Sequence, residues 1–486
     1  MDHIAPLIIL FGFIIGISVV GAMPGMRKNL NNEAWAVGSR SFGRWLNWFI
    51  IAGEIYTAFA FLGASGWAYS KGGPAFYIMG YFSLGYLIGF HLLPKVSEYG
   101  RKYNLVTQGD MVEQLYQSKW LGILVAAIGA IFLLPYLQLQ LTALGIIVES
   151  TSLGAIGHVT AMLIAFVLVA VFVFLSGLHG VASTAVVKDV MVMVAMLFFG
   201  LYLPYHFCGG IEPMFKAVEN INPNWLTFPG KTNNLDILWG MTTLVIIGCG
   251  FYMWPQFMTD AFAAKEPNVL RHNAVWLPVY QLLLIFPMII GFTAVVVYAD
   301  HPLTNGDMAF LTLVRDSMPP MVLGLVGAAG ALACMIPAAD LLLSTSLLIT
   351  KNIYIRGFRG DESKLPENHM KNVARYLILV LTAIALYLSI YHGNMLVNLL
   401  LTGYDGVTQF FPLIVLGVFW KKSTKIAAFS SLIVGEILVF WLVLGKLDPV
   451  PFMGGHMNAG FVALFVNTII FVLVSLMTYK KAEPAK

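Results

Sequence analysis

Glu54, Lys188 and Asp340 are ionisable residues set inside stretches that are otherwise apolar. On insertion scales a charge at the centre of a membrane helix costs about 2.5–3.5 kcal/mol. Three such groups therefore argue for mutual pairing or for a function. Burial can move the proton affinity of a carboxylate or an ammonium far enough for either to carry a coupled proton. The plainer readings are a static ion pair or, for Lys188-Asp189, a place at the membrane interface. Glu54 stands in an interrupted run, Ile51-Ala52-Gly53-Glu54-Ile55-Tyr56-Thr57-Ala58-Phe59-Ala60-Phe61-Leu62-Gly63. A second interruption reads Ile247-Gly248-Cys249-Gly250-Phe251-Tyr252-Met253-Trp254-Pro255-Gln256. Glycine in membrane helices often does no more than permit close packing. Two breaks at matching positions favour a functional unwinding instead, because carriers bind solutes where paired broken helices expose backbone groups near the bilayer midplane.

The elements that hold these residues are membrane spans. Of 486 residues, 59% are hydrophobic and 11% charged, against roughly a quarter charged in soluble domains. Lipid must therefore be part of the solvent. A crossing helix needs about 20 mostly apolar residues, and the sequence offers thirteen such segments: 4–26, 45–69, 75–95, 121–148, 158–177, 185–207, 237–258, 273–298, 320–349, 372–391, 394–419, 425–445 and 458–479. Lys and Arg in the loops sort into 22 on one side and five (Lys71, Lys216, Lys231, Arg315, Lys446) on the other, with Lys188 inside a span. The cation-rich side reads as cytoplasmic, which places the N-terminus outside and the C-terminus inside a bacterial inner membrane. Met1-Asp2-His3 lacks the positive region of a cleavable signal, so the first segment reads as a permanent span. The longest loops (207–236 and 351–371) are too short for separate domains. Cys208, Cys249 and Cys334 have neither disulfide-framework nor metal-ligand spacing. Scattered basic residues give no nucleic-acid patch, and no metalloprotease, nucleophile-elbow or P-loop motif points to an enzyme.

Four motifs in order carry a resemblance. They are Gly63-Ala-Ser-Gly66-Trp-Ala-Tyr69; Leu105-Val-Thr107-Gln108-Gly-Asp110-Met-Val-Glu113; Ser344-Thr-Ser346-Leu-Leu-Ile-Thr350-Lys-Asn-Ile-Tyr354; and Phe411-Pro412-Leu-Ile-Val-Leu-Gly417-Val-Phe419-Trp420-Lys421-Lys422. With them the chain resembles the sodium:solute symporter family, whose fold is the inverted repeat also seen in the leucine transporter. The resemblance implies an all-α membrane protein with a core of two five-helix repeats, spans 2–6 (45–207) and 7–11 (237–420). It also implies a broken first helix in each repeat and peripheral helices over 1–44 and 425–486.

The resemblance further implies sodium coupling, and here the sequence departs. The hydroxyl pair that typically holds sodium on the eighth core helix is replaced by Ile336 and Pro337, and the Thr-Asp pair of the fifth by Thr184 and Ala185. Hard cations require oxygen ligands. The fold would bring Glu54, Lys188 and Asp340 near the vacated site, beside backbone ligands at Gly53, Tyr56 and Ala333. The lysine ammonium, paired with a carboxylate, would then stand in for the cation. Run 176–189 and the Ile336-Pro337 substitution resemble the bacterial monocarboxylate-permease branch. The implied substrate is thus a small organic anion such as lactate, pyruvate or acetate, imported with H+ or Na+ and no other cofactor. Candidate substrate contacts are Tyr56, Thr57, Phe59, Tyr136, Gln140, Gly250, Tyr252 and Gln256, although Tyr136 and the two glutamines also suit interhelical hydrogen bonding. Trp45, Trp48, Trp254 and Trp420 read as interface anchors, and His91, His158, His206 and His301 as interfacial. The alternatives are a sodium-coupled symporter for pantothenate, an amino acid or a sugar, a transporter-like membrane sensor, and a channel.

Overall fold

The structure is a computed structural model that describes residues 4–27, 32–360, 366 and 369–479. Apart from a short antiparallel hairpin, Val450–Phe452 with Gly455–Met457, its ordered elements are helices. Helix falls on all thirteen expected segments. Among the described residues, ten helical stretches are long and apolar enough to cross a bilayer, the interrupted Ile237–Ala263 among them, and the bent pair Leu396–Val407 and Pro412–Phe419 makes an eleventh. The other two segments fall short of that length for identifiable reasons. His158–Phe174 is a shorter apolar helix, divided from the next by Gly177, whose φ of 60° only glycine adopts readily. A Cβ there would also stand 2.9 Å from the Trp35 ring.

The segment 45–69 is interrupted. Helix Arg44–Gly53 ends, the chain turns through Glu54–Ala58, and helix resumes with a π-helical turn at Phe59–Gly63 followed by Ala64–Lys71. The second interruption has the same form. Helix Ile237–Gly250 stops, Phe251–Trp254 is non-helical, and Pro255–Ala263 begins a new helix. Proline suits a first helical position and disfavours helix in the residue before it. Trp254 is accordingly extended, with φ −66° and ψ 137°.

Helix Pro320–Leu348 runs through the middle of the molecule against Lys119–Thr151 and Ser176–Cys208, buried along almost its whole length. Gly327 and Gly330 permit close approach to Thr151 and Ile147 of Lys119–Thr151, and Gly324 permits that of Pro6 on helix Ile4–Arg27. A Cβ on Gly330 would come within 2.4 Å of the Phe61 ring. The loop expected from residue 351 is instead helical as far as Arg359. Side-chain contacts extend it: Lys351 Nζ lies 2.8 Å from Asp110, the Asn352 amide donates to the same carboxylate at 2.9 Å, and Arg356 pairs with Glu113. Burial opposes ionisation of Asp110. The Lys351 charge, the Val106 N–H and the Asn352 amide outweigh it and hold the carboxyl below its ordinary range.

These contacts belong to the cation-rich end of the bundle. There the Phe42 N–H donates to the Ala263 carbonyl at 3.0 Å, and the Lys265 N–H to the Phe42 carbonyl at 2.8 Å. Arg40 reaches the Leu105 carbonyl at 2.8 Å, and the Asn47 amide reaches the Asp260 carbonyl at 3.0 Å. The chain entering the first broken helix is thus tied to the end of the second. Lys28, Lys364, Lys480, Lys481 and Lys486 lie outside the described residues.

Candidate functional site

An interrupted helix leaves backbone groups that hydrocarbon cannot satisfy, so each needs a partner inside the protein. In the first break those partners are specific. Lys188 Nζ donates to the Gly53 carbonyl at 2.6 Å and to the Tyr56 carbonyl at 3.1 Å. The Tyr136 hydroxyl donates to the Glu54 carbonyl at 3.4 Å. The Ala58 N–H donates to Gln140 Oε1 at 3.3 Å, and the Phe59 N–H to the Thr57 hydroxyl at 3.2 Å. Tyr136 and Gln140 therefore act at least as braces on the unwound strand. Gly53 leaves room for the ammonium, since a Cβ there would stand 3.2 Å from Nζ.

Lys188 is fully buried. Its ion-pair partner is the neighbouring Asp189, at 2.7 Å, rather than Glu54 or Asp340. Asp189 is only 2% exposed, so the pair is enclosed within the protein. Glu54 accepts a hydrogen bond from the Gln256 amide of the second broken helix, Nε2 to Oε2 at 3.3 Å. That contact joins the two breaks. Asp340 and Ala333 are fully buried on the central helix, and neither carboxylate oxygen of Asp340 has a hydrogen-bond partner among the described residues. Asp260, on the helix after the second break, is buried in the same way with both oxygens unpartnered. It lies within electrostatic reach of Asp340 and Glu54. The sequence reading missed it because the seventh span was ended at 258, although a carboxylate inside Phe257-Met258-Thr259-Asp260-Ala261-Phe262 was signal enough.

The second break uses neutral partners. The Gln108 amide donates to the Met253 carbonyl at 2.6 Å, the Thr408 hydroxyl to the Ile246 carbonyl at 3.2 Å, and the Met253 N–H to the Gly250 carbonyl at 2.8 Å. Gly250 is packed so closely that a Cβ would stand 2.0 Å from the Thr408 hydroxyl.

Between the breaks lies an enclosed cavity of about 20 Å³, lined by Glu54, Thr57, Phe59, Tyr81, Tyr136, Trp254 and Tyr404 among others. That is room for about one water, so a solute would enter only after the surrounding helices part. Thr57, Phe59 and Tyr136 line it as expected candidates. Tyr56, Gln140, Gly250, Tyr252 and Gln256 surround the breaks without lining it. The Trp254 expectation is corrected. This residue is 1% exposed and faces the cavity, because the extended backbone before Pro255 carries it inward. Tyr81, Leu400 and Tyr404 come from distant spans, and nothing local in the sequence marked them. Trp45 is exposed, as an interface anchor would be, and so are His91, His158, His206 and His301.

Comparison with known proteins agrees with this architecture. A "Monocarboxylate transport permease protein" of Rhizobium johnstonii is 28% identical, over 93% of this chain and 91% of its own length. An "Uncharacterized symporter YhjB" of Bacillus subtilis is 39% identical over 99% of both chains. A solved structure of a Na+-coupled sialic acid symporter, in a substrate-bound outward-open state, superposes with a TM-score of 0.79 across 97% of this chain and 98% of the other. At 17% identity that last likeness speaks for the fold alone. The profile of the sodium:solute symporter family matches residues 35–435. With paired broken helices, a polar site between them and this match over most of its length, the chain belongs to the sodium:solute symporter family.

Proposed function

We propose that this symporter imports a small organic anion, a monocarboxylate such as lactate, pyruvate or acetate, by alternating access, and that protons rather than sodium drive it. The observation that carries this reading is the Lys188 ammonium hydrogen-bonded to the Gly53 and Tyr56 carbonyls, where the family resemblance would put a sodium ion. With Ile336 and Pro337 in place of the hydroxyl pair, the oxygen donors that could compete for sodium are fewer. A neutral amine would hold both carbonyls less strongly than an ammonium does, so protonation of this site is linked to the geometry of the break. In this reading the thirteen segments all cross the membrane, with the cation-rich end in the cytoplasm of a bacterial cell.

Glu54 adds a reason for anion and proton to travel together. It is the one charged residue among those described as lining the cavity. An anionic substrate beside an ionised carboxylate is repelled, whereas a protonated Glu54 removes the repulsion and offers a donor. The same carboxylate supports a second reading, a zwitterionic amino acid whose ammonium pairs with ionised Glu54. A thermal-shift screen of purified protein against monocarboxylates, amino acids, sugars and pantothenate separates the two. Stabilisation by a monocarboxylate that strengthens as pH falls supports the first reading. Stabilisation by an amino acid, a sugar or pantothenate, without any monocarboxylate, overturns it.

A further inference from the structure

A groove of about 650 Å³ opens on the outer face of the bundle, away from the solute cavity. One wall is the start of helix Arg44–Gly53, with Arg44, Trp45 and Trp48. The other is a face of Pro267–Gln281 and the residues after it, carrying His272, Trp276, Val279, Tyr280 and Leu283. Trp45 is 79% and Trp276 54% exposed, so both present their rings to the surroundings. Arg44 and His272 stand at the cation-rich end, and neither has an ion pair or hydrogen bond to a protein group among the described residues. From His272 to Leu283 the apolar wall rises for about 16 Å at 1.5 Å per residue.

We infer that this groove binds an anionic glycerophospholipid, with its phosphate on Arg44 and His272 and an acyl chain along Trp276, Val279 and Leu283. The form of the groove argues for this occupant. The Arg44 guanidinium and the His272 imidazole sit at one end without partners among the described residues, exposed tryptophan rings stand beside them, and the remainder of the groove is apolar. Basic pockets between membrane helices are suited to anionic headgroups, and tryptophan rings favour the boundary between headgroups and hydrocarbon. Scattered interface anchors would give no concavity with a charged end.

The floor of the groove connects to the ion site. The Tyr280 ring centroid lies 5.1 Å from that of Trp48 and 4.7 Å from that of Tyr56, and the Tyr56 carbonyl accepts a hydrogen bond from Lys188. A lipid chain packed on Tyr280 therefore steadies the residues that hold the Lys188 ammonium.

The test uses full-length protein extracted from bilayers of phosphatidylglycerol and phosphatidylcholine, with retained lipid counted by native mass spectrometry. Wild-type protein is expected to keep phosphatidylglycerol in preference to phosphatidylcholine. The Arg44→Gln, His272→Gln double variant should lose at least fivefold of it at an unchanged melting temperature. The Trp276→Ala variant, which leaves Arg44 and His272 in place, should lose part. Neutralising a half-buried cation beside another exposed tryptophan, Lys119→Gln next to Trp120, should change nothing. Equal retention of the two lipids, retention unaffected by the double variant, or a second copy of the chain covering this face would overturn the assignment.

Discussion

The break at Glu54–Ala58 and the break at Phe251–Trp254 both free backbone carbonyls in the interior of the bundle, yet the first receives an ammonium and the second an amide. Lys188 sits on Gly53 and Tyr56, backed by Asp189, while Gln108 sits on Met253. Both solve the same problem of unsatisfied backbone. Only the first can change its charge, so it is the place to seek coupling, and the second is a fixed clasp.

Lys188→Ala tests this difference most severely. It leaves the Asp189 carboxylate buried without its partner, a change that typically costs 3–5 kcal/mol. We expect uptake to fall at least tenfold, together with a marked drop in melting temperature. Lys188→Arg separates the two effects, because it keeps the charge but cannot take part in proton transfer. Its stability should recover substantially while proton-driven uptake stays low. Glu54→Gln should come next. Substrate binding would then lose most of its pH dependence, measurable as melting-temperature shifts with a monocarboxylate between pH 5 and pH 8, roughly the span in which such groups are tuned to work. Gln108→Ala, in the neutral break, should cost about 1–3 kcal/mol for the Met253 carbonyl left unpaired. It should lower stability and leave the coupling ion unchanged; a change of coupling ion would break the comparison.

The smallest effect belongs to the clasp at the cation-rich end. The folded state holds the Asp110 carboxyl below its ordinary value of 3.8, so its contribution to stability is complete above that value and is lost as pH falls through the lower folded one. Asp110→Asn should therefore lower the melting temperature at neutral pH and converge with wild type in strong acid.

Much of this arrangement could be read in the residues themselves. Gly53 and Gly250 marked the breaks, Lys188 stood out as a cation inside a span, and Ile336-Pro337 signalled a lost hydroxyl pair. The partner of Lys188 was less legible. Asp189 is its neighbour in sequence, and adjacent helical residues generally point apart, so only the packed bundle shows that the pair closes. Trp254 was misplaced because a tryptophan near a span end has the same composition signal whether it turns outward or inward, and the extended backbone ahead of Pro255 decides which. Tyr81 and the pair Leu400 and Tyr404 meet at the cavity from two spans far apart in sequence, a convergence that spacing along one helix cannot reveal.

Whether the Lys188 ammonium stands in for sodium is tested most directly by reconstituted uptake. Proteoliposomes would be given the monocarboxylate that most stabilises the protein, under an inward proton gradient without sodium or an inward sodium gradient at constant pH. Accumulation under the proton gradient alone, abolished in Lys188→Ala, is the predicted result. Accumulation driven only by the sodium gradient, or proton-driven accumulation undiminished in a Lys188→Ala, Glu54→Ala double variant, would contradict the account.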